Sequence, residues 1–161
     1  MTASMVGMPD ILAFHGGSIR IGQKCMLYRS ELVSVSGEIV IGDHTALGTG
    51  DSIICHGRLH IGDHRSIAPN VTIYDHNYCF DKNGITHGYK IKDANIGKHV
   101  WIGTGVIILA GTVIVDNCVI GAGTVVSGSI PPNSLVTNKR ELVISSLEER
   151  HGKSSNYYSS I

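Results

Sequence analysis

The chain has no charge imbalance: 13 Lys and Arg offset 13 Asp and Glu across 161 residues. No basic block stands ahead of the C-terminus, so the electrostatic footprint of a nucleic-acid binder is missing. There is no CxxC pair either. Cys25, Cys55, Cys79 and Cys118 are widely spread, which argues against a zinc knuckle or a dense disulfide framework and for reduced thiols in a cytoplasmic protein. No apolar run approaches the ~18–20 residues of a membrane span. The opening stretch MTASMVGMPDILAFHGG lacks the charged start and long apolar core of a secretion signal. Any membrane association is therefore expected to be peripheral. Proline is scarce, at 4 residues against 20 glycines, and 42% of the chain is apolar. That balance suits a single β domain with a real core and many tight corners.

What the chain does have is periodicity. Aliphatic residues recur every six positions at Ile96, Ile102, Ile108, Ile114, Ile120 and Val126. The same spacing runs through Ile21, Leu27 and Val33, then Ile41, Leu47 and Ile53, then Ile61, Ile67 and Ile73. Gly17, Gly37 and Gly57 mark three units of twenty residues, each made of three hexads and a two-residue insertion. After a break the hexads resume without insertions, three to a turn. Each hexad reads as a short strand plus a corner, with the aliphatic residue pointing inward and a small residue near the bend. Stacked turns then pair in parallel and bury one aliphatic column. The expected fold is an all-β solenoid of about five turns over residues 17–140. Residues 1–16 are expected to cap the bottom. The stretch 141–150, ELVISSLEER, has the composition of a short helix covering the top, and the polar tail continues to residue 161.

The ladder breaks once, at residues 77–94, NYCFDKNGITHGYKIKDA. Eighteen residues without hexad pattern inside a solenoid are expected to be functional or disordered, as an acceptor loop or a simple subunit-contact loop. Tyr78, Phe80 and Tyr89 with Asn and Asp suit a sugar ring. His76 stands where the ladder stops. Imidazole titrates near neutrality, so it suits a base that takes a proton from a hydroxyl.

The hexad [Ile/Val/Leu]-Gly-x-x-x-x, the order IGDHRSIAPNVTIYDH, and the run IGKHVWIGTGVIILAGTVIVDNCVIGAGTVVSGSIPPNS resemble the hexapeptide-repeat acyltransferases. The similarity is to their sugar O-acetyltransferase branch, and it covers roughly residues 17–140. It implies a left-handed parallel β-helix, a protruding loop, a homotrimer, and active sites between subunits. It also implies acetyl-CoA as cosubstrate, a sugar hydroxyl as acceptor, and no required metal. By the same resemblance His76 is the catalytic base, Asn77 and Tyr78 meet the acceptor, and Trp101 lines the cleft. Thr104, Ala122 and Ser127 match positions beside the pantetheine arm, and Lys139 and Arg140 match positions near the nucleotide phosphates. Asn138-Lys139-Arg140 replaces the usual Asn-Pro-Ala there.

Other residues have plainer readings. Trp101, the sole tryptophan, alternates outward and suits a subunit or ligand contact. His44, His64 and His99 fall in Ile-Gly-x-His corners and read as solvent-facing architecture. His56 lies twenty residues before His76, stacked one turn below, as an orienting group or a mere neighbour. Asp75, Asp51 or a backbone carbonyl could fix the His76 tautomer, but strand alternation points Asp75 to the opposite side. A Cys79–His76 acyl-enzyme has no further support. Competing readings are N-acyl transfer to an amino or nucleotide sugar, a metal-dependent carbonic anhydrase on the same solenoid, and an inert trimeric scaffold.

Overall fold

The computed structural model describes residues 4–5, 7–139 and 141. The hexads coil into a parallel β-solenoid with sheets of seven, six and six strands. The chain visits the three faces in rotation, one strand per turn. In chain order the first face carries Met26–Leu27, Ala46–Leu47, Ser66–Ile67, Trp101–Ile102, Val119–Ile120 and Leu135–Val136. The second carries Glu31–Ser34, Ser52–Cys55, Thr72–Tyr74, Ile107–Ile108 and Val125–Val126. The third carries Ser18–Ile21, Glu38–Ile41, Arg58–Ile61, Ala94–Ile96, Val113–Ile114 and Ser129–Ile130.

The coil has about six turns rather than the five expected. The difference lies at the bottom, where residues read as a cap are part of the solenoid. Ser4–Met5 pairs with Met26–Leu27, and Asp10–Ala13 pairs with Glu31–Ser34, both parallel. Backbone pairing continues downward although only Ile11 of that strand packs on the core. The expected helix over 141–150 lies, apart from residue 141, outside the described residues, as does the tail, and every regular element among the described residues is a strand.

The interior is the aliphatic column, with one correction to its register. Leu32 is buried and pairs with Ile53, whereas Val33 pairs with Ile54 and is only half-buried. The corner after Leu27 is one residue shorter than the corner after Leu47, so the inward position falls at 32. The four-residue third-face strands also bury Ile39 and Leu59 two positions before Ile41 and Ile61. Each such side chain contributes ~1.5–3 kcal/mol when taken out of water.

Corners close by repeated devices. At the third-to-first corner His44, His64 and His99 adopt φ of 55°, 56° and 54°, a left-handed turn that histidine tolerates better than most side chains. Their rings stack at 4.7 Å and 5.2 Å between centroids, exposed to solvent, as their corner position implies. Asp43 and Asp63 each accept a backbone N–H from the turn below, from Gln23 at 2.7 Å and Asp43 at 3.0 Å. Gly37 sits directly under Gly57, where a side chain would strike the Gly57 backbone. These contacts fix the second-to-third corner, and the ladder breaks there one turn higher.

Candidate functional site

The break is a β-hairpin. His76–Asp81 pairs antiparallel with Gly84–Ile91, from His76 opposite Ile91 to Asp81 opposite Gly84. Asn83 N–H donates to Asp81 Oδ1 at 2.7 Å, and Gly84 takes φ of 112°, which closes the tip. A bulge between Tyr78 and Phe80 twists the ribbon. The hairpin ends before 94: Ala94 is buried and pairs with Leu59 in the solenoid. Phe80 and Ile85 face each other near the tip, 80% and 78% exposed.

At the hairpin base, Asp75 is fully buried and His76 half-buried. The expectation that Asp75 points away from His76 is overturned. Thr72–Tyr74 ends before it and the hairpin strand begins after it, so residue 75 is a corner and strand alternation does not apply. Its Oδ1 lies 3.1 Å from His76 Nδ1. It also accepts His56 N–H at 2.9 Å, Gly57 N–H at 2.7 Å and the Cys55 thiol at 3.1 Å. Its own carbonyl accepts Lys92 N–H at 2.7 Å and pins the returning hairpin strand. Burial pushes the Asp75 carboxyl up, but these hydrogen bonds together outweigh it and hold the group below the usual carboxylate range. An ionised carboxylate only accepts, so His76 Nδ1 carries the proton and Nε2 is left as the basic nitrogen.

His56 lies under His76 as the twenty-residue repeat predicts, with ring centroids 4.0 Å apart. Burial first, then the neighbouring His76, holds its titration below the ordinary imidazole range. Tyr89 leans back from the hairpin onto both rings, 4.3 Å from His56 and 5.2 Å from His76, edge-on to the latter. Tyr78 contacts Tyr89 at 5.0 Å, and Tyr74 meets His76 at 5.9 Å. A hydrogen bond with Tyr78 pushes the Tyr89 phenol up. The result is an aromatic wall around one imidazole edge. Tyr89 was legible only as one of several loop aromatics, because the sequence pattern does not state that it pairs with Tyr78 across the hairpin. Asp51 makes no such contact. It closes another corner, accepting Gly48 N–H at 2.7 Å and Val71 N–H at 2.9 Å.

The other anticipated residues divide between places. Asn77 and Tyr78 are exposed beside His76, and Ser127 lies at the same second-to-third corner two turns higher. Trp101 is on the first face, outward and 56% exposed, paired between Ser66 and Val119. Thr104, Ala122 and Lys139 lie at the first-to-second corner and are exposed. Thr104 Oγ1 donates to Pro69 carbonyl at 2.6 Å there. Below Trp101 the first face holds a groove of ≈ 470 Å³ lined by Met26, Tyr28, Ala46, Ser66 and Ala68 among others. Arg140 lies outside the described residues. One chain thus brings His76, Asn77, Tyr78 and Ser127 to one corner, and leaves Trp101, Thr104, Ala122 and Lys139 across the width of a face.

The fold and repeat define the class: this chain carries the hexapeptide repeat of the bacterial transferases and is similar to the sugar O-acetyltransferases among them. The family pattern "Bacterial transferase hexapeptide (six repeats)" matches residues 93–128. Among relatives, galactoside O-acetyltransferase of Escherichia coli (strain K12) is 40% identical over 88 residues, 52% of this chain and 42% of that protein. A maltose O-acetyltransferase from Clostridium difficile 630 superposes with TM-score 0.51 at 34% identity, covering 74% of this chain and 62% of its own. The polysialic acid O-acetyltransferase OatWY shares the fold, with TM-score 0.60 at 20% identity over 92% of this chain and 93% of its own. The coil is of the left-handed β-helix type of these structural neighbours. The chain spans less than half the length of the curated relatives it matches, 42% of the galactoside O-acetyltransferase.

Proposed function

We propose that the protein transfers an acetyl group from acetyl-CoA to a hydroxyl of a sugar, with His76 as general base. The observation that carries this is the His76–Asp75 pair, with Nδ1 tied to a buried carboxylate at 3.1 Å. Held this way, Nε2 takes the proton from the acceptor hydroxyl as its oxygen attacks the thioester carbonyl. The tetrahedral oxyanion, stabilised by backbone N–H groups, collapses with cleavage of the C–S bond. The imidazolium returns its proton to the leaving sulfur, and CoA departs as the thiol. Asp75 stabilises the imidazolium and keeps the ring in place, as the carboxylate of a triad does. The aromatic wall of Tyr74, Tyr78 and Tyr89 offers faces for the acceptor ring.

A homotrimer is the assembly this reading calls for. Trp101, Thr104, Ala122 and Lys139 lie away from the His76 corner within one chain, so a donor touching both sets needs a second copy. There, a neighbour's first face would meet this subunit's second-to-third corner. The four thiols Cys25, Cys55, Cys79 and Cys118 are all free, in keeping with a cytoplasmic setting. No helix among the described residues is long and apolar enough to cross a membrane.

The test is acetyl-CoA turnover against a panel of sugars and nucleotide-sugars, following free CoA thiol and acetylated product. General-base help is worth ~10²–10⁴-fold, so His76→Ala is expected to lose about that much turnover while its melting temperature holds. Near-wild-type turnover in His76→Ala would sink the proposal.

A further inference from the structure

We propose that Cys55, a buried thiol that no chemical step uses, is a positioning residue for His76, acting through Asp75. This rests on the reading of His76 as general base. The twenty-residue repeat puts Cys55-His56 directly beneath Asp75-His76, since Ile53 and Ile54 pair with Ile73 and Tyr74. Cys55 is fully buried, and its Sγ lies 3.1 Å from Asp75 Oδ2. The Glu38 carbonyl is the more distant alternative at 3.5 Å, and a single S–H goes to the closer, charged acceptor. The equivalent residue one turn below, Ser34, closes its own corner instead, donating to Gly37 carbonyl at 2.7 Å.

The two carboxylate oxygens have different work. Oδ2 receives the thiol, Gly57 N–H at 2.7 Å and His56 N–H at 3.2 Å. Oδ1 faces His76 Nδ1 and receives His56 N–H at 2.9 Å. The backbone donors approach from the corner side, and the thiol comes from the solenoid interior. Together they fix rotation about the Cβ–Cγ bond, and so the direction in which Oδ1 presents itself to the ring. Burial first, then the bond to Asp75, pushes the Cys55 thiol up to about 12, so it remains a donor at any working pH. Being buried, it cannot reach substrate, which separates this role from an acyl-enzyme.

The experiment compares Cys55→Ala, Cys55→Val and Cys55→Ser in the full chain. It reads kcat, KM, melting temperature and the ring ¹⁵N shifts of His76 in histidine-labelled protein. A lost hydrogen bond to a buried charged acceptor predicts that Ala and Val lower kcat about tenfold with KM little changed. Part of the His76 population should then carry its proton on Nε2. Ser keeps the donor and is expected to restore kcat to within about twofold of wild type. Val fills the volume and serves where Ala fails to fold. Unchanged His76 shifts in Ala and Val, or a kcat loss that Ser shares, overturns the inference. Activity retained in His76→Ala defeats the general-base reading, whereas the ¹⁵N shifts still decide whether Cys55 positions the ring.

Discussion

Replacing Asp75 with Asn separates the chemistry of this site from its architecture. The carboxylate is fully buried and takes hydrogen bonds from His56 N–H, Gly57 N–H, the Cys55 thiol and His76 Nδ1. An amide offers one acceptor oxygen and one NH₂. Gly57 N–H, the Cys55 thiol and the longer His56 N–H contact converge on the Oδ2 position, so the amide oxygen takes that place and the NH₂ turns toward His76. Nδ1 must then accept, the ring proton moves to Nε2, and a donor stands where the base is needed. The expected loss is most of the general-base contribution, ~10²–10⁴ in kcat or about 3–5 kcal/mol. KM for acetyl-CoA should move little.

Stability should fall less, by about 1–3 kcal/mol, since the corner keeps an acceptor and loses mainly the charge-assisted strength. Asp75→Ala strands several donors together and is expected to unfold the corner as well, so it cannot make the separation. The acid side of the stability curve adds a second reading. Asp75 titrates below the usual carboxylate range, so its contribution is present above the unfolded value of ~3.9 and is lost as pH falls through the folded one. Asp75→Asn should lack that loss. Steady-state turnover and circular-dichroism melts from pH 3 to 7 measure both. If kcat of Asp75→Asn stays within about threefold of wild type, neither the tautomer argument nor the role of the buried carboxylate survives.

Two further tests concern buried charge. Burial pushes Asp51 up to about 7 against the hydrogen bonds from Val71 and Gly48. The folded protein then holds a proton that the unfolded chain releases near pH ~4, so this group's contribution to stability falls as pH rises between those values. Melting temperatures at pH 5 and pH 8 should drop more for wild type than for Asp51→Asn, and equal slopes would remove Asp51 as the cause. Arg65 is buried at the third-to-first corner, where Nη1 donates to the Asp63 carbonyl while Nε and Nη2 have no hydrogen-bond partner among the described residues, and burial pushes it down to about 10. Val100 occupies the same place one turn above, so Arg65→Met should stabilise the solenoid by about 1–4 kcal/mol in denaturant melts. A destabilised variant would mean that the Nη1 bond to the Asp63 carbonyl outweighs the cost of burying the guanidinium.

The hexad spacing was enough to read the coil, the corner histidines and the outward Trp101, because each depends on where one residue falls within a repeat. The same logic stacked His56 under His76 correctly. It failed where corner length changes. Val33 was read as inward, but a corner one residue shorter hands that place to Leu32. It failed again at Asp75, where alternation holds only inside a strand and the residue lies between two of them. The excursion was visible as a loss of pattern. Its hairpin register was not, since the pairing of His76 with Ile91 and of Tyr78 with Tyr89 is what brings Tyr89 onto the two histidines.

By itself, then, the sequence determined a repeating architecture, because a side-chain period is a local property that every turn states again. It also marked His76, by ending the repeat there. Only the tertiary structure decided what surrounds that imidazole. Cys55, the amides of His56 and Gly57, Asp75 and Tyr89 come from two successive turns and a returning hairpin strand, and no local period encodes how they meet. The same structure distributes Trp101 and Lys139 away from the His76 corner, since a three-sided coil sends neighbouring hexads to different faces.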